Sequence, residues 1–398
     1  MVSKSMMEEW VYLWKNKRLL VILLLVPFVF TVLFGAAYSE GKLHSLPTVY
    51  FDEDQSALSR QVIQAFQASE TFEIVAPVHS EAELSERIQQ GQATLGIVLP
   101  SGMEKRVRRG ETGQLLTFVD GSNLAVVNSA LQGANEVVQT ISGGIAIKRM
   151  EAKGIDQDTL FSLRSGYRML YNPTLHYGIF MPLGLVSAAI QQALMLGIAL
   201  CIVRHREKGN AGVFVERLSE VGVVRWLYAK SMPYFLIGII QFGLCFALLI
   251  NKYHFPFVGQ AGWMLVLSIV FMVSLLGLGL LVSAFTPDRL QATQISMLIA
   301  LLSFPLSGYT WPFIAMPDAL VFVGRLMPLT YFLHGVQEIA LKGHGWAALQ
   351  SDLIALGLIS AVTFSLTAFR LFRQKAMQKK SEASNELPEL ENSFQSTI

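Results

Sequence analysis

Apolar residues in this chain gather into long blocks. Leu19–Ala37 is apolar apart from Thr31. Later blocks run over about Tyr177–Val203, Ser231–Ile250, Gly262–Phe285, Leu290–Ser307 and Leu353–Phe372. A helix of about 20 apolar residues is long enough to cross a bilayer core. The pattern therefore predicts an α-helical polytopic membrane protein with six transmembrane helices, the first within residues 19–39 and the others within 176–375. Ahead of the first block, Met7, Trp10, Val11 and Trp14 stand at i, i+3, i+4 and i+7 and share one helical face. Glu8, Tyr12, Lys15 and Asn16 point away from it. Two tryptophans on the apolar side suit an amphipathic interfacial helix over residues 1–18.

Between the first two blocks the pattern changes. Thr48–Phe51, Phe72–Val78, Ala93–Leu99 and Leu115–Val119 are short and rich in β-branched or aromatic residues, as strands are. Ser56–Ala68, Glu81–Gln90 and Gly102–Arg109 read as helices between them, and a long helical run follows over Leu124–Lys153. Such alternation predicts an α/β extracytoplasmic domain, residues 40–175, inserted between transmembrane helices 1 and 2. A second irregular segment, Gly308–Gly345, carries Pro312, Pro317 and Pro328 yet stays apolar over 319–322 and 329–333. It reads as an external or re-entrant pair of short helices, tolerable at membrane depth only when packed against protein. Residues 376–398 are polar and read as a disordered cytosolic tail.

Composition supports the membrane assignment: 52% of residues are hydrophobic and only 15% charged, against about 25% in soluble domains. Mean hydropathy is +0.45. Charge sets the orientation. The loop 204–230 carries Arg204, Arg206, Lys208, Arg217, Arg225 and Lys230, and basic loops stay in the cytosol. Arg370, Arg373, Lys375, Lys379 and Lys380 mark a second cytosolic end, so both termini are expected inside. In 40–171 acids outnumber bases, which fits a translocated domain. A signal peptide is the rival interpretation of the first block, because Gly35-Ala36-Ala37 is small. The block exceeds the roughly 7–15 residues of a typical signal core, which favours a retained anchor.

Catalytic chemistry is not in view. Cys201 and Cys245 both lie inside apolar blocks, which argues against a disulfide framework or a cysteine metal site. The chain has no G-x-x-x-x-G-K-[ST], H-E-x-x-H or G-x-S-x-G motif. A basic-aromatic stripe for nucleic acid is missing too. Asp52, Glu53 and Asp54 could gather a divalent cation or form a turn with a helix cap. His334 and Glu338 stand at i, i+4 with no third ligand nearby, and Glu338 also faces Lys342 at i, i+4. Gln191 and Gln192, with Gln241 in the next block, are polar groups at membrane depth. They either hydrogen-bond to neighbouring helices or line a substrate path. Asp, Glu, Lys and Arg are absent from deep within spans two to five. An ion-driven transporter usually needs them there. Energy would therefore arrive from outside, and the cytosolic loop is the port.

Three runs stand out between the first two blocks: Val49-Tyr50-Phe51-Asp52-Glu53-Asp54-Gln55-Ser56, Gly96-Ile97-Val98-Leu99-Pro100 and Phe118-Val119-Asp120-Gly121-Ser122-Asn123. Through them the chain resembles the membrane subunit of ABC-2 type exporters, in the subgroup with a long external domain. Ser307-Gly308, Pro312, Met316-Pro317, Pro328-Leu329-Thr330-Tyr331-Phe332 and Leu341-Lys342-Gly343 extend the resemblance. In that family an R-E-x-x-G-T pattern lies on a coupling helix that docks on the ATPase. Arg206-Glu207-Lys208-Gly209-Asn210 resembles it loosely, with Asn210 in place of Thr. The proline usual before the next span is replaced by Glu220-Val221-Gly222. The resemblance implies a permease that is no enzyme itself and binds no cofactor, with ATP and Mg held by a cytosolic ABC ATPase subunit. It also implies a second permease copy or paralogue. A periplasmic adaptor and membrane lipid are further expected partners, and the bacterial inner membrane is the expected location. Arg206, Glu207, Gly209, Glu216, Arg225 and Lys230 become the candidates for coupling to the ATPase, and Gln191, Gln192 and Gln241 those for the substrate path. The competing function is a membrane-anchored sensor or assembly scaffold whose α/β domain is the binding module.

Overall fold

The computed structural model describes residues 2–39, 43–153, 171, 177–207 and 211–395. The chain divides into two units, one of residues 1–39 with 178–398 and one of residues 40–177. Helices α1 (Val2–Lys15) and α2 (Lys17–Ala37) open the first unit.

In the second unit the order is β1 (Leu46–Asp52), α3 (Ala57–Ala68), β2 (Phe72–Pro77), α4 (Glu81–Gln89), β3 (Leu95–Leu99), α5 (Met103–Arg109), β4 (Leu116–Val119) and α6 (Leu124–Lys153). The sheet runs β2-β1-β3-β4, parallel except for β4. Every residue of β3 is buried, as expected of a strand covered on both faces. Its side chains alternate between two cores. Leu95, Ile97 and Leu99 join Val62 and Phe66 of α3 and Ala130 and Ala134 of α6. Val98 joins Leu84 of α4. The acidic run after β1 holds helix starts. Asp52 accepts from Gln55 N at 2.9 Å and from the Ser59 hydroxyl at 2.8 Å, beside the Ser56 capping box of α3. Asp54 accepts from Glu104 N at 3.0 Å and so caps α5, whose own N-cap, Gly102, has no side chain to do it.

The first unit continues with α7 (Tyr177–Glu207), α8 (Ala211–Val221), α9 (Val223–Lys252), α10 (Ala261–Phe285), α11 (Arg289–Ser303), α12 (Asp318–Arg325), α13 (Pro328–Ala340) and α14 (Trp346–Gln395). Among the described residues, five stretches are long and apolar enough to cross a membrane: Lys17–Ala37, Gly178–Arg206, Val223–Lys252, Ala261–Phe285 and Trp346–Met377. The pair α12–α13, bent by 82°, raises the number to six if it forms one broken span. The predicted fifth span needs correction. Helix α11 has 15 residues, about 22 Å at 1.5 Å per residue, short of the roughly 30 Å core. Pro305 lacks the N–H that would continue it, and Gly308 at φ 77° turns the chain away. The tail is also corrected. Residues 376–395 continue α14 instead of being disordered. Strong helix formers such as Gln374, Lys375, Ala376, Met377 and Gln378 lead into it.

Small residues let the long helices touch. A Cβ at Gly279 would come within 2.0 Å of Ile198 on α7, and one at Gly277 within 2.3 Å of Thr363 on α14. Ser283 accepts from Ile202 N at 2.9 Å. Helix α13 is packed in protein: Leu329, Phe332, Leu333, Val336 and Ile339 are wholly buried, and Phe332 stacks on Phe271 of α10 with centroids 4.0 Å apart.

Candidate functional site

The junction of α7, α8 and α9 with α1 combines charge, burial and an exposed short helix. Helix α8 is amphipathic. Phe214, Val215, Leu218 and Val221 are buried, while Glu216, Arg217, Ser219 and Glu220 are exposed. Gly222 separates α8 from α9 with φ 86°, a conformation that proline cannot adopt and that costs an L-residue strain. A glycine break thus replaces the expected proline. An aromatic trio fixes the hinge. His205 at the end of α7, Phe214 of α8 and Trp226 of α9 lie with ring centroids 5.4 to 6.0 Å apart.

Beneath the hinge lies a buried ionic cluster. Glu9 of α1 is 0% exposed. It accepts from the Tyr234 hydroxyl at 2.9 Å, lies 3.2 Å from Lys230 Nζ, and is bound by Arg204. The Arg204 guanidinium also sits 3.5 Å from the Tyr12 ring centroid, where the π-face favours a cation. Arg204 and Lys230 are 5% and 2% exposed, so both cations lie in a low-dielectric setting in which one carboxylate serves two. Glu8 lies 3.9 Å from Lys230 and pairs with Arg217 of α8 at 3.0 Å. The cluster therefore joins α1 to α7, α8 and α9.

Of the residues expected to couple, Glu216 and Arg225 are exposed, on α8 and on the first turn of α9. Lys230 requires correction: its ammonium is buried against Glu9 and cannot meet a partner. Arg206 is also turned inward. Its guanidinium donates to Ser283 O at 2.6 Å, to Ala284 O at 3.2 Å and to Thr286 O. It thereby satisfies carbonyls left open at the end of α10. Glu207 ends α7, with its side chain outside the described residues, and Gly209 lies wholly outside them. Among the path candidates, Gln241 donates through Nε2 to Leu24 O at 3.0 Å and so ties α9 to α2, while its Oε1 is unpartnered among the described residues. Gln191 is buried with Oε1 unpartnered among the described residues, and Gln192 is half-buried.

The sequence reading missed Glu9 and Tyr234. The available signal was Ser5, Glu9 and Leu13 at i, i+4, i+8, which is the buried face of α1. Met7, Val11 and Trp14, on the face expected to lie in the headgroup layer, are exposed.

Known proteins resemble the chain along most of its length. It is 26% identical over 358 residues to the probable multidrug ABC transporter permease YbhR of Escherichia coli K12, covering 89% of this chain and 94% of that protein. It is 24% identical over 370 residues to the inner membrane transport permease YhhJ of the same organism, covering 89% and 92%. The linearmycin resistance permease protein LnrN of Bacillus subtilis 168 is 22% identical over 385 residues, covering 89% and 94%. A family model described as ABC-2 family transporter protein matches residues 17–369. With membrane-length helices on both sides of an exposed amphipathic α8 and a family match across most of its length, the chain belongs to the ABC-2 transporter family as a multi-pass membrane protein.

Proposed function

We propose that the chain is the permease subunit of an ATP-driven exporter, energised by a separate cytosolic ATPase and moving an amphiphilic, drug-like or lipid-like cargo outward. The observation that carries this is α8, whose apolar face is locked onto α7 and α9 while Glu216, Ser219 and Glu220 stay bare. Family membership supports a cytosolic ABC ATPase as the partner that covers this face. The likeness to a probable multidrug permease, YbhR, and a linearmycin resistance permease, LnrN, supports a drug-like cargo. In this proposal both termini and α8 lie in the cytosol, the α/β unit lies outside, and two copies of the chain, or the chain and a paralogue, assemble in the bacterial inner membrane.

The contacts suggest how force would travel. A push on α8 passes through Phe214 to His205 and Trp226, and hence to α7 and α9. Through Arg217 and Glu8 it also reaches α1. Packed helices respond to such a push by rigid-body movement. The test is Glu216→Arg with Glu220→Arg, in membranes that also carry the ATP-binding subunit. Export is expected to fall at least tenfold while the chain still inserts. Normal coupled export from the double variant, or failure of any ATP-binding subunit to co-purify, would sink the proposal.

A further inference from the structure

A groove on the outer side of α9, α10 and α14 has no role in the coupling junction. Its volume is about 600 Å³, within the roughly 300–1,000 Å³ range of ligand sites. Its lining is mostly apolar: Met232 and Phe235 of α9, Val273 of α10 and Phe364 of α14, with Tyr228, Ser231 and Ser365 as the polar exceptions. The Ser231 hydroxyl donates to Tyr228 O at 3.2 Å within α9, so it presents little free polarity. All three helices are of membrane length. An apolar trough of this kind along membrane-spanning helices meets hydrocarbon, not water.

One end of the trough is charged. On α9, Arg225 precedes Tyr228 by three residues and Met232 by seven, so it stands below them on the same helical face. On α14, Lys375 follows Ala368 by seven and Phe364 by eleven, again on the groove face. Arg225 is exposed, Lys375 is half-exposed, and neither has an ion-pair partner among the described residues. Tyr228, exposed one turn inside Arg225, suits the boundary between headgroups and hydrocarbon.

We infer that this groove is a binding site for one anionic phospholipid, with an acyl chain lying along Met232, Phe235 and Phe364 and the phosphate between Arg225 and Lys375. Charge complementarity selects this occupant. Basic pockets between transmembrane helices select anionic headgroups in the same way.

The test uses the full chain in detergent with phosphatidylglycerol or phosphatidylcholine of identical chains, counted by native mass spectrometry. One phosphatidylglycerol per chain should be retained in preference to phosphatidylcholine. Arg225→Gln with Lys375→Gln should weaken retention about tenfold, and Ser231→Trp, which fills the groove, should abolish it. A second measurement needs no variant. Phosphatidylglycerol with a photoreactive acyl chain should label residues 228–235 and 364–368 of the wild-type chain, with excess phosphatidylglycerol protecting them and phosphatidylcholine not. Equal retention of both lipids, retention indifferent to the substitutions, or labelling spread over all outer faces would overturn the inference. So would a change of oligomeric state in Ser231→Trp with no lipid bound to the wild type, which would identify a protein occupant.

Discussion

Glu9 is held inside the bundle by a tyrosine hydroxyl and two cations that lie about 200 residues further along the chain. Removing one partner of a buried charged group leaves the others desolvated and uncompensated, at about 3–5 kcal/mol. Replacing Tyr234 by Phe takes away only one hydrogen bond to a charged group, about 1.5–3 kcal/mol. Arg217 and Glu8 form a pair open to solvent, in the class that contributes about 0–1 kcal/mol. Stability should therefore fall in the order Glu9→Gln, Tyr234→Phe, Arg217→Ala. Chemical unfolding of the full chain in detergent, followed by the combined fluorescence of its six tryptophans, measures it. Equal losses from all three would mean that Glu9 is not the hub. Hydropathy patterning could not find this residue, because it assigns a carboxylate to the outer face of a helix by default. The complementary cations were visible in sequence, but their common target was not, since only the fold brings α1 against α7 and α9.

Among the elements, α8 depends on the break at Gly222. Its φ of 86° is open to glycine and costs other residues about 1–3 kcal/mol. Gly222→Ala should strain the α8–α9 corner, and Gly222→Pro, with φ fixed near −65°, should abolish it. The expected readout is protease cleavage between residues 207 and 222 that rises modestly in the alanine variant and strongly in the proline variant, while the rest of the chain stays intact. Resistance of the proline variant equal to the wild type would contradict this account. Here the sequence was partly legible. The basic loop stood out by charge, and the apolar positions Phe214, Val215, Leu218 and Val221 follow a helical period. The inward turn of Arg206 was not legible, because the carbonyls it satisfies belong to α10, about 80 residues away. For α11 the apolar run was long enough, but run length ignores the donor that Pro305 removes. In the second unit the short apolar, β-branched run of β3 announced a strand, whereas its position beside both β1 and β4 required the tertiary fold.

For the whole molecule, the direction in which the chain crosses the membrane follows from charge and not from helix length. Five long apolar helices are compatible with either direction, since length and composition carry no sign. Direction comes from the placement of Lys and Arg, which resist translocation. Under the proposed function, the cations around α8 and at the end of α14 are expected in the cytosol and Gln64 across the membrane from them. Both native cysteines, Cys201 and Cys245, are buried, so single introduced cysteines can be read against a low background. Gln64 on α3 and Ser219 on α8 are exposed and tolerate a small side chain. In intact cells a membrane-impermeant maleimide should label Gln64→Cys and spare Ser219→Cys, and permeabilisation should make the two equal. The reverse pattern would place α8 outside, beyond the reach of any cytosolic ATPase. The same experiment with a cysteine at Leu302 on α11, an exposed apolar position, bears on the short helix. A helix of 15 residues that stays within the bilayer should leave that cysteine unlabelled from either side, whereas one lying outside the hydrocarbon should react with the aqueous reagent.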